Sequence, residues 1–335
     1  MIQAPGKVFW IGEYAVLEGA RALVAAVDAH VEVHTRPRSD QQVSFSAPTS
    51  GVPALVLWDR DGRMLPDPPS PNAALVAAVV RTLSAAGRAP QRGLDVSADS
   101  SALNAVAPDG GAKLGLGSSG AVAAGLVSAL APDAPAEVVA TMALQAHRQF
   151  QGGSGSGGDV LASLHGGLVA FSPGTAPTPV VPPRSLRWAI LATRRPANTR
   201  ALTRRFTEWR RTGAGDTLIA QMGAVATDGI GALSRGDTSA WLSAVRRYLA
   251  LERELGATAG IPIVDDAVEA CIRAGEAAGW VAKPSGAGGG DIVVAFGDDD
   301  ADVARLEQVA ALAGFDRIPL ALEAVGVLQS HLPAG

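Results

Sequence analysis

Cysteine is almost missing from the chain: Cys271 stands alone in 335 residues. An internal disulfide is impossible, so a small secreted scaffold held by bridges is excluded, and a reducing cytosol suits the composition. An excess of charge is missing too. Charged residues make up 18% and the formal net charge is -4, so no basic surface for nucleic acid is expected. Long apolar runs are also absent, because charges, glycine or proline interrupt them, and no membrane-spanning helix is expected. The opening Met1-Ile2-Gln3-Ala4-Pro5 has neither the basic start nor the apolar stretch of a secretory leader. The expectation is a cytoplasmic protein without nucleic-acid or membrane partners. What is plentiful is apolar side chain, 47% of residues, enough for one large domain or two of ordinary size.

The most informative stretch is Lys113-Leu114-Gly115-Leu116-Gly117-Ser118-Ser119-Gly120-Ala121, which runs into the apolar segment 121–131. Glycines let backbone N–H groups approach an anion closely. Ser118 or Ser119 can cap the helix that follows, and the positive end of its dipole favours phosphate. The spacing Gly115-x-Gly117-x-x-Gly120 also satisfies the dinucleotide fingerprint. That fingerprint needs a buried strand directly before it and an acidic residue about 20 positions further on. Here Pro108-Asp109-Gly110-Gly111-Ala112 reads as a turn, and Asp133 and Glu137 come too early. No Gly-Lys-Ser/Thr closes the loop as a Walker motif requires. The preferred reading is the triphosphate cradle of a kinase, weighed against a plain glycine turn that caps a helix.

Periodicity predicts strands over 8–11, 22–33, 43–46, 54–58, 94–97, 167–171, 188–193, 292–296 and 318–327. Helical spacing covers 72–86, 121–131, 135–150, 160–164, a run ending near 211, 216–234, 238–255, 263–278 and 301–313. Ala4-Pro5-Gly6-Lys7 reads as a turn, and the proline-rich 173–183 as the boundary between a first domain, 1–180, and a second, 181–335. Two further glycine-rich loops follow the first, at 152–159 and 283–291. Several backbone approaches of this kind suit a ligand that carries more than one phosphate. No role is assigned to His147 or His165.

Three segments in order resemble the motifs of the GHMP kinases. They are Ala4-Pro5-Gly6-Lys7-Val8 leading to Gly12-Glu13-Tyr14-Ala15-Val16, then Gly115-Leu116-Gly117-Ser118-Ser119, then Lys283-x-Ser285-Gly286-Ala287-Gly288-Gly289-Gly290-Asp291. The resemblance spans nearly the whole chain. It implies an α+β fold, with a ribosomal-S5-like N-terminal domain, a ferredoxin-like C-terminal domain and the active site between them. It implies ATP and Mg²⁺, a small phosphorylated acceptor, and a monomer or homodimer. Tyr14, Lys113, the segment 153–159 and Arg195-Pro196-Ala197-Asn198-Thr199 favour, within the family, (R)-5-phosphomevalonate as acceptor and 5-diphosphomevalonate as product, a step in isoprenoid precursor synthesis. Asn198 in place of serine and the Arg194-Arg195 pair are departures from that pattern.

The resemblance makes Lys7 and Asp159 the catalytic pair. It gives Lys113, Gly115, Leu116, Gly117, Ser118, Ser119 and Gly120 to ATP. Acceptor contacts fall on Glu13, Tyr14, Ser154, Ser156, Asn198, Ser285, Gly286, Ala287 and Gly288, and a serine of the first loop, Ser119, becomes the metal ligand. Bringing two anions together calls for extra cations, for which Lys113, Arg194, Arg195, Arg200, Arg204 and Arg205 are candidates. The alternatives are mevalonate or another small alcohol as acceptor, a metabolite sensor that kept the fold, and a dinucleotide-dependent oxidoreductase.

Overall fold

The computed structural model describes residues 1–47, 52–58, 73–105, 114–153 and 155–330. Its first part comprises β1 (Ile2–Ile11), β2 (Ala22–Pro37), β3 (Val43–Ala47), β4 (Val52–Trp58), α1 (Ala74–Ala85), β5 (Leu94–Asp99), α2 (Ser101–Ala105), α3 (Ser118–Leu130), α4 (Ala136–Phe150), α5 (Gly158–His165), β6 (Leu168–Phe171) and β7 (Thr178–Val180). The second part comprises β8 (Arg187–Ala192), α6 (Thr199–Arg210), α7 (Asp216–Ser234), α8 (Thr238–Ala259), α9 (Asp266–Ala277), β9 (Val281–Pro284), β10 (Ile292–Gly297), α10 (Val303–Leu312), β11 (Asp316–Ile318) and α11 (Val327–Ser330).

The first seven strands form one sheet, ordered β4-β3-β5-β2-β6-β7, with β1 paired to β2 off that path. The long β2 pairs with β6 through Ala22–Ala25 and with β5 from Glu32 to Pro37. Both lie on one of its edges, so β1 takes the other. An edge strand leaves every second pair of backbone groups unpaired. Here they are covered by the glycine-rich loops: Lys7 N–H donates to the Leu116 carbonyl at 2.7 Å, and Phe9 exchanges bonds of 2.9 and 3.0 Å with the Ser285 hydroxyl.

Ala4-Pro5-Gly6-Lys7 is therefore strand, not turn. Ala4 pairs with Val31 and Gly6 with Val27, and a register shift falls between Pro5 and Gly6. A proline missing its N–H is tolerated at such a bulge, which is why the dipeptide mimicked a turn. The stretch 173–183 also departs from expectation, since β7 lies within it and pairs with β6. The chain then enters a four-stranded sheet, ordered β11-β8-β10-β9 and antiparallel throughout. Lys283 and Pro284, expected in a loop, close β9.

The expected strand over 318–327 is not formed as such. After β11 the chain crosses back to the first sheet, where Leu322 bridges Val27 and Glu323 bonds to Ala26 and Gly167. One core runs through both parts. Trp10 of β1 packs against Trp188 of β8, Trp241 of α8 and Phe296 of β10, with ring centroids 5.0–5.9 Å apart. The four rings join the two sheets across the molecule.

Candidate active site

The first glycine loop turns into α3 through Gly117, whose φ of 78° lies in the left-handed region. That conformation is costly for serine, so the N-cap falls on Gly117, and neither Ser118 nor Ser119 caps the helix. Both lie in its first turn. The Ser119 hydroxyl turns sideways and meets His147 Nε2 at 3.0 Å. The second loop enters α5 in the same way, through Gly157 at φ 76°, and places Asp159 in the first turn. Two helix N-termini thus converge with their positive dipole ends, although at α5 the Gly158 and Val160 N–H groups already donate to Ser156 Oγ and Asp159 Oδ1.

The convergence is tight enough to need glycine. A Cβ on Gly117 would stand 2.7 Å from Lys7 Cγ and 3.2 Å from Asp159 Cβ; one on Gly120 would stand 2.7 Å from Asp159 Cγ. Lys7, Asp159 and Gly117 are therefore neighbours. Lys7 Nζ donates to the Gly115 carbonyl at 2.7 Å and lies 5.4 Å from the Phe9 ring centroid. Burial pulls this ammonium below the ordinary lysine range, and Asp159, Asp291 and Glu13 oppose the shift without cancelling it. The third loop completes the enclosure: a Cβ on Gly286 would lie 3.8 Å from Lys7 Nζ, and Asp291 reaches Gly115.

Several expected acceptor contacts turn out to be framework. Glu13 is 3% exposed and its Oε1 accepts from Lys283 Nζ at 2.6 Å and from Gly286 N–H at 3.3 Å. Tyr14 is buried; its hydroxyl donates to the Ala287 carbonyl at 2.6 Å and its ring packs on Phe206. Ser285 bonds to β1 rather than to the cleft. Gly288 is pressed against Ile263, since a Cβ there would meet its carbonyl at 2.3 Å. Asn198 caps α6 by accepting from Ala201 N–H at 3.1 Å. In Glu13, Tyr14, Ser285 and Asn198 a buried or capping bond takes the polar group expected to face a ligand. Ser156 borders the second loop and accepts from Gly158 N–H. Lys113 and Ser154 lie outside the described residues.

Of the arginines, Arg194 pairs with Asp316, Arg195 with Asp265 and Arg204 with Glu208, while Arg205 reaches the Gly260 carbonyl. Arg200 stacks 4.6 Å from the Phe150 centroid, which brings α6 beside the end of α4 and the second loop. The turn before α6 is tied to the third loop: Asp291 N–H donates to the Arg195 carbonyl and Asp291 Oδ1 accepts from Ala197 N–H. Asp291 closes the third motif but was given no role by the sequence. Nor was His147, whose Nε2 is 3.0 Å from Ser119 Oγ and 3.2 Å from Asp159 Oδ2.

Comparison with known proteins places the chain in a family. The GHMP kinases N terminal domain matches residues 74–167, and GHMP kinases C terminal matches residues 230–313. The chain is a GHMP kinase. It is 30% identical over 367 residues to the phosphomevalonate kinase of Streptomyces sp. (strain CL190), covering 96% of this chain and 97% of that one. Among solved structures, the Lin0012 protein from Listeria innocua superposes with a TM-score of 0.84 at 21% identity, over 96% of each chain. The Streptococcus pneumoniae phosphomevalonate kinase in complex with phosphomevalonate and AMPPNP superposes with a TM-score of 0.77 at 18% identity, over 96% of this chain and 99% of that one. As a GHMP kinase the protein is a phosphotransferase, and its two-part α+β fold is that of the family. None of its described helices is long and apolar enough to cross a membrane.

Proposed function

We propose that this GHMP kinase transfers the γ-phosphoryl group of ATP to (R)-5-phosphomevalonate, forming ADP and 5-diphosphomevalonate. The observation that carries the reading is the meeting of Lys7 and Asp159 at Gly117 and Gly120, directly beneath two convergent helix N-termini. The full-length relationship to a phosphomevalonate kinase supports the choice of acceptor. On this reading residues 1–180 carry the nucleotide and 181–335 close over the acceptor.

Phosphoryl transfer is catalysed mainly by positioning and by neutralising charge on the moving group. Free N–H groups at the start of α3 receive the terminal phosphates. Lys7, held by the Gly115 carbonyl, places its ammonium between donor and acceptor. An acceptor phosphate oxygen attacks the γ-phosphorus in line while the bond to the bridging β–γ oxygen breaks. A phosphate monoester has its second pKa near ~6, so it arrives mostly as a dianion and needs little proton removal. Asp159 then orients and balances charge more than it acts as a base.

The donor set fits Mg²⁺. Ser119 Oγ and Asp159 Oδ2 both lie within hydrogen-bond reach of one nitrogen of His147, and hard oxygens from few side chains, completed by phosphate and water, are what this ion prefers. Bound there, the ion would supply charge neutralisation on the phosphate oxygens.

The test is coupled ADP release measured side by side with phosphomevalonate, mevalonate, homoserine and galactose. Turnover confined to phosphomevalonate is expected; faster turnover with mevalonate or another alcohol overturns the acceptor. Asp159→Asn separates the roles. A loss milder with phosphomevalonate than with an alcohol acceptor is expected, against the ~10²–10⁴-fold typical of a missing general base; a loss of about a thousandfold or more with phosphomevalonate itself would mean that Asp159 orients groups or balances charge and does not merely remove a proton.

A further inference from the structure

His147 lies on α4, between the two helices whose N-termini form the site, and its side chain is 2% exposed. One atom, Nε2, faces Ser119 Oγ of α3 at 3.0 Å and Asp159 Oδ2 of α5 at 3.2 Å. Asp159 Oδ1 accepts from Val160 N–H at 3.0 Å, so both carboxylate oxygens are held. An ionised carboxylate only accepts. The proton in the His147–Asp159 contact therefore belongs to Nε2, and a bare Nε2 would set lone pair against lone pair. Gln151 lies 3.4 Å from the same nitrogen, and its amide can turn its oxygen toward the N–H, since the two amide orientations are a matter of assignment.

We propose that His147 is a positioning residue for phosphoryl transfer, sharing its Nε2–H between Asp159 and Ser119 so that both oxygens are aimed at the phosphates. The inference rests on the kinase reading above and adds a residue to it. With Nε2 as donor, the hydroxyl of Ser119 keeps its own proton and a second lone pair free for the ligand side. The same imidazole ties α3 to α5, so the two helix ends keep their spacing. Nothing in the segment around His147 announces this; only the packing of three helices does.

His147 also lines a cleft of about 640 Å³ that opens beside Ser156 and Gly157. A truncated side chain at this position is thus within reach of small solutes, which gives the test. The first measurement is the protonation pattern of the five histidines in the full-length, ligand-free protein by ¹⁵N NMR, with the His147 ring assigned through bonds from its own backbone. Expected is a proton on Nε2; a bare Nε2 overturns the proposal, and this measurement stands even where a variant fails to fold. The second is kinetics. Outer residues that orient ligating groups typically cost about 10- to 100-fold when removed, and His147→Ala is expected to lose kcat on that scale with KM for ATP largely kept. Added imidazole should restore part of the loss, and His147→Gln, which carries an amide N–H, should lose less. An undiminished His147→Ala, or a loss that neither imidazole nor glutamine recovers, overturns it. Wild-type protein that turns over none of the acceptors sinks the phosphomevalonate reading but leaves the Nε2 proton where it is; normal wild-type turnover with an unaffected His147→Ala sinks this inference alone.

Discussion

Lys7 and Lys283 are both buried lysines among carboxylates, and the structure uses them in opposite ways. Lys283 is fully buried and bonded to Glu13 at 2.6 Å, with Glu252 at 3.4 Å on another side. Burial pushes its ammonium down, but Glu13 and Glu252 together outweigh it and the pKa ends above the ordinary value. Lys7 keeps 9% exposure, and among the described residues no carboxylate pairs with it directly. Its strongest bond is to a neutral carbonyl, and its pKa ends below the ordinary value. A lysine whose charge is already matched locks a fold. One whose charge is left unmatched is poised to receive an anion. Both tyrosines of the chain serve the first cluster: Tyr248 donates to the Glu13 carbonyl and Tyr14 to that of Ala287.

The contrast can be broken outright. Removing one partner of a buried ion pair typically costs about 3–5 kcal/mol, and Lys283→Met, which strands Glu13 and Glu252, is expected to show that loss in urea unfolding. A variant as stable as the parent would mean that the cluster does not hold the fold together. Lys7→Met should do the reverse. Its unfolding midpoint should stay near the parent's, while kcat drops by about 10²–10³, the usual cost of removing one preorganised electrostatic contact. A kcat close to wild type, measured by coupled ADP release, would remove Lys7 from the chemistry.

Smaller effects sharpen the comparison. The Glu252 carboxyl is raised by burial first, with Glu13 adding to it and Lys283 opposing, from 4.5 to about 8. Its folded value lies above its unfolded one, so the native state binds the extra proton. That contribution to stability is complete below pH 4.5 and is lost as pH rises toward 8. Glu252→Gln mimics the protonated form. Its advantage over wild type should therefore widen through that window, by no more than about 1.4 kcal/mol per pH unit; a constant difference from pH 5 to 8 would contradict the assignment. Smallest of all, Asn198→Ala should cost about 1 kcal/mol for the lost helix cap with KM for the acceptor unmoved. A rise in that KM would return Asn198 to the substrate.

Much of this was legible in the residues, and the failures have physical causes. The helices of the second part, such as α7 and α8, were visible because a long 3.6-residue period is hard to mistake. The glycine loops were visible because their phosphate chemistry is local. β1 was cut short because Pro5-Gly6 imitates a turn, whereas the pairing partners that keep it extended lie at Val27 and Val31. Glu13 and Tyr14 were expected to face the acceptor, and their partners Lys283 and Ala287 lie far along the chain. One overlooked signal was present. Lysine occurs three times in the sequence, at Lys7, Lys113 and Lys283, each in or beside a glycine-rich motif, while arginine supplies every other strong cation. A compact ammonium differs from a planar guanidinium, and its rarity marks where it matters. His147 had no such mark, because its partners sit on two other helices.

The return of the chain to the first sheet has a consequence for biosynthesis. Glu323 donates to the Ala26 carbonyl and receives a bond from Gly167 N–H, while Gly326 packs so closely on Leu164 and Gly166 that a side chain there would strike backbone. These contacts brace the far end of the short helix that begins beside Asp159. A ribosome must therefore release residues up to Val327 before that helix gains its outer neighbour, so a nascent chain can pair its early strands long before α5 is fully braced.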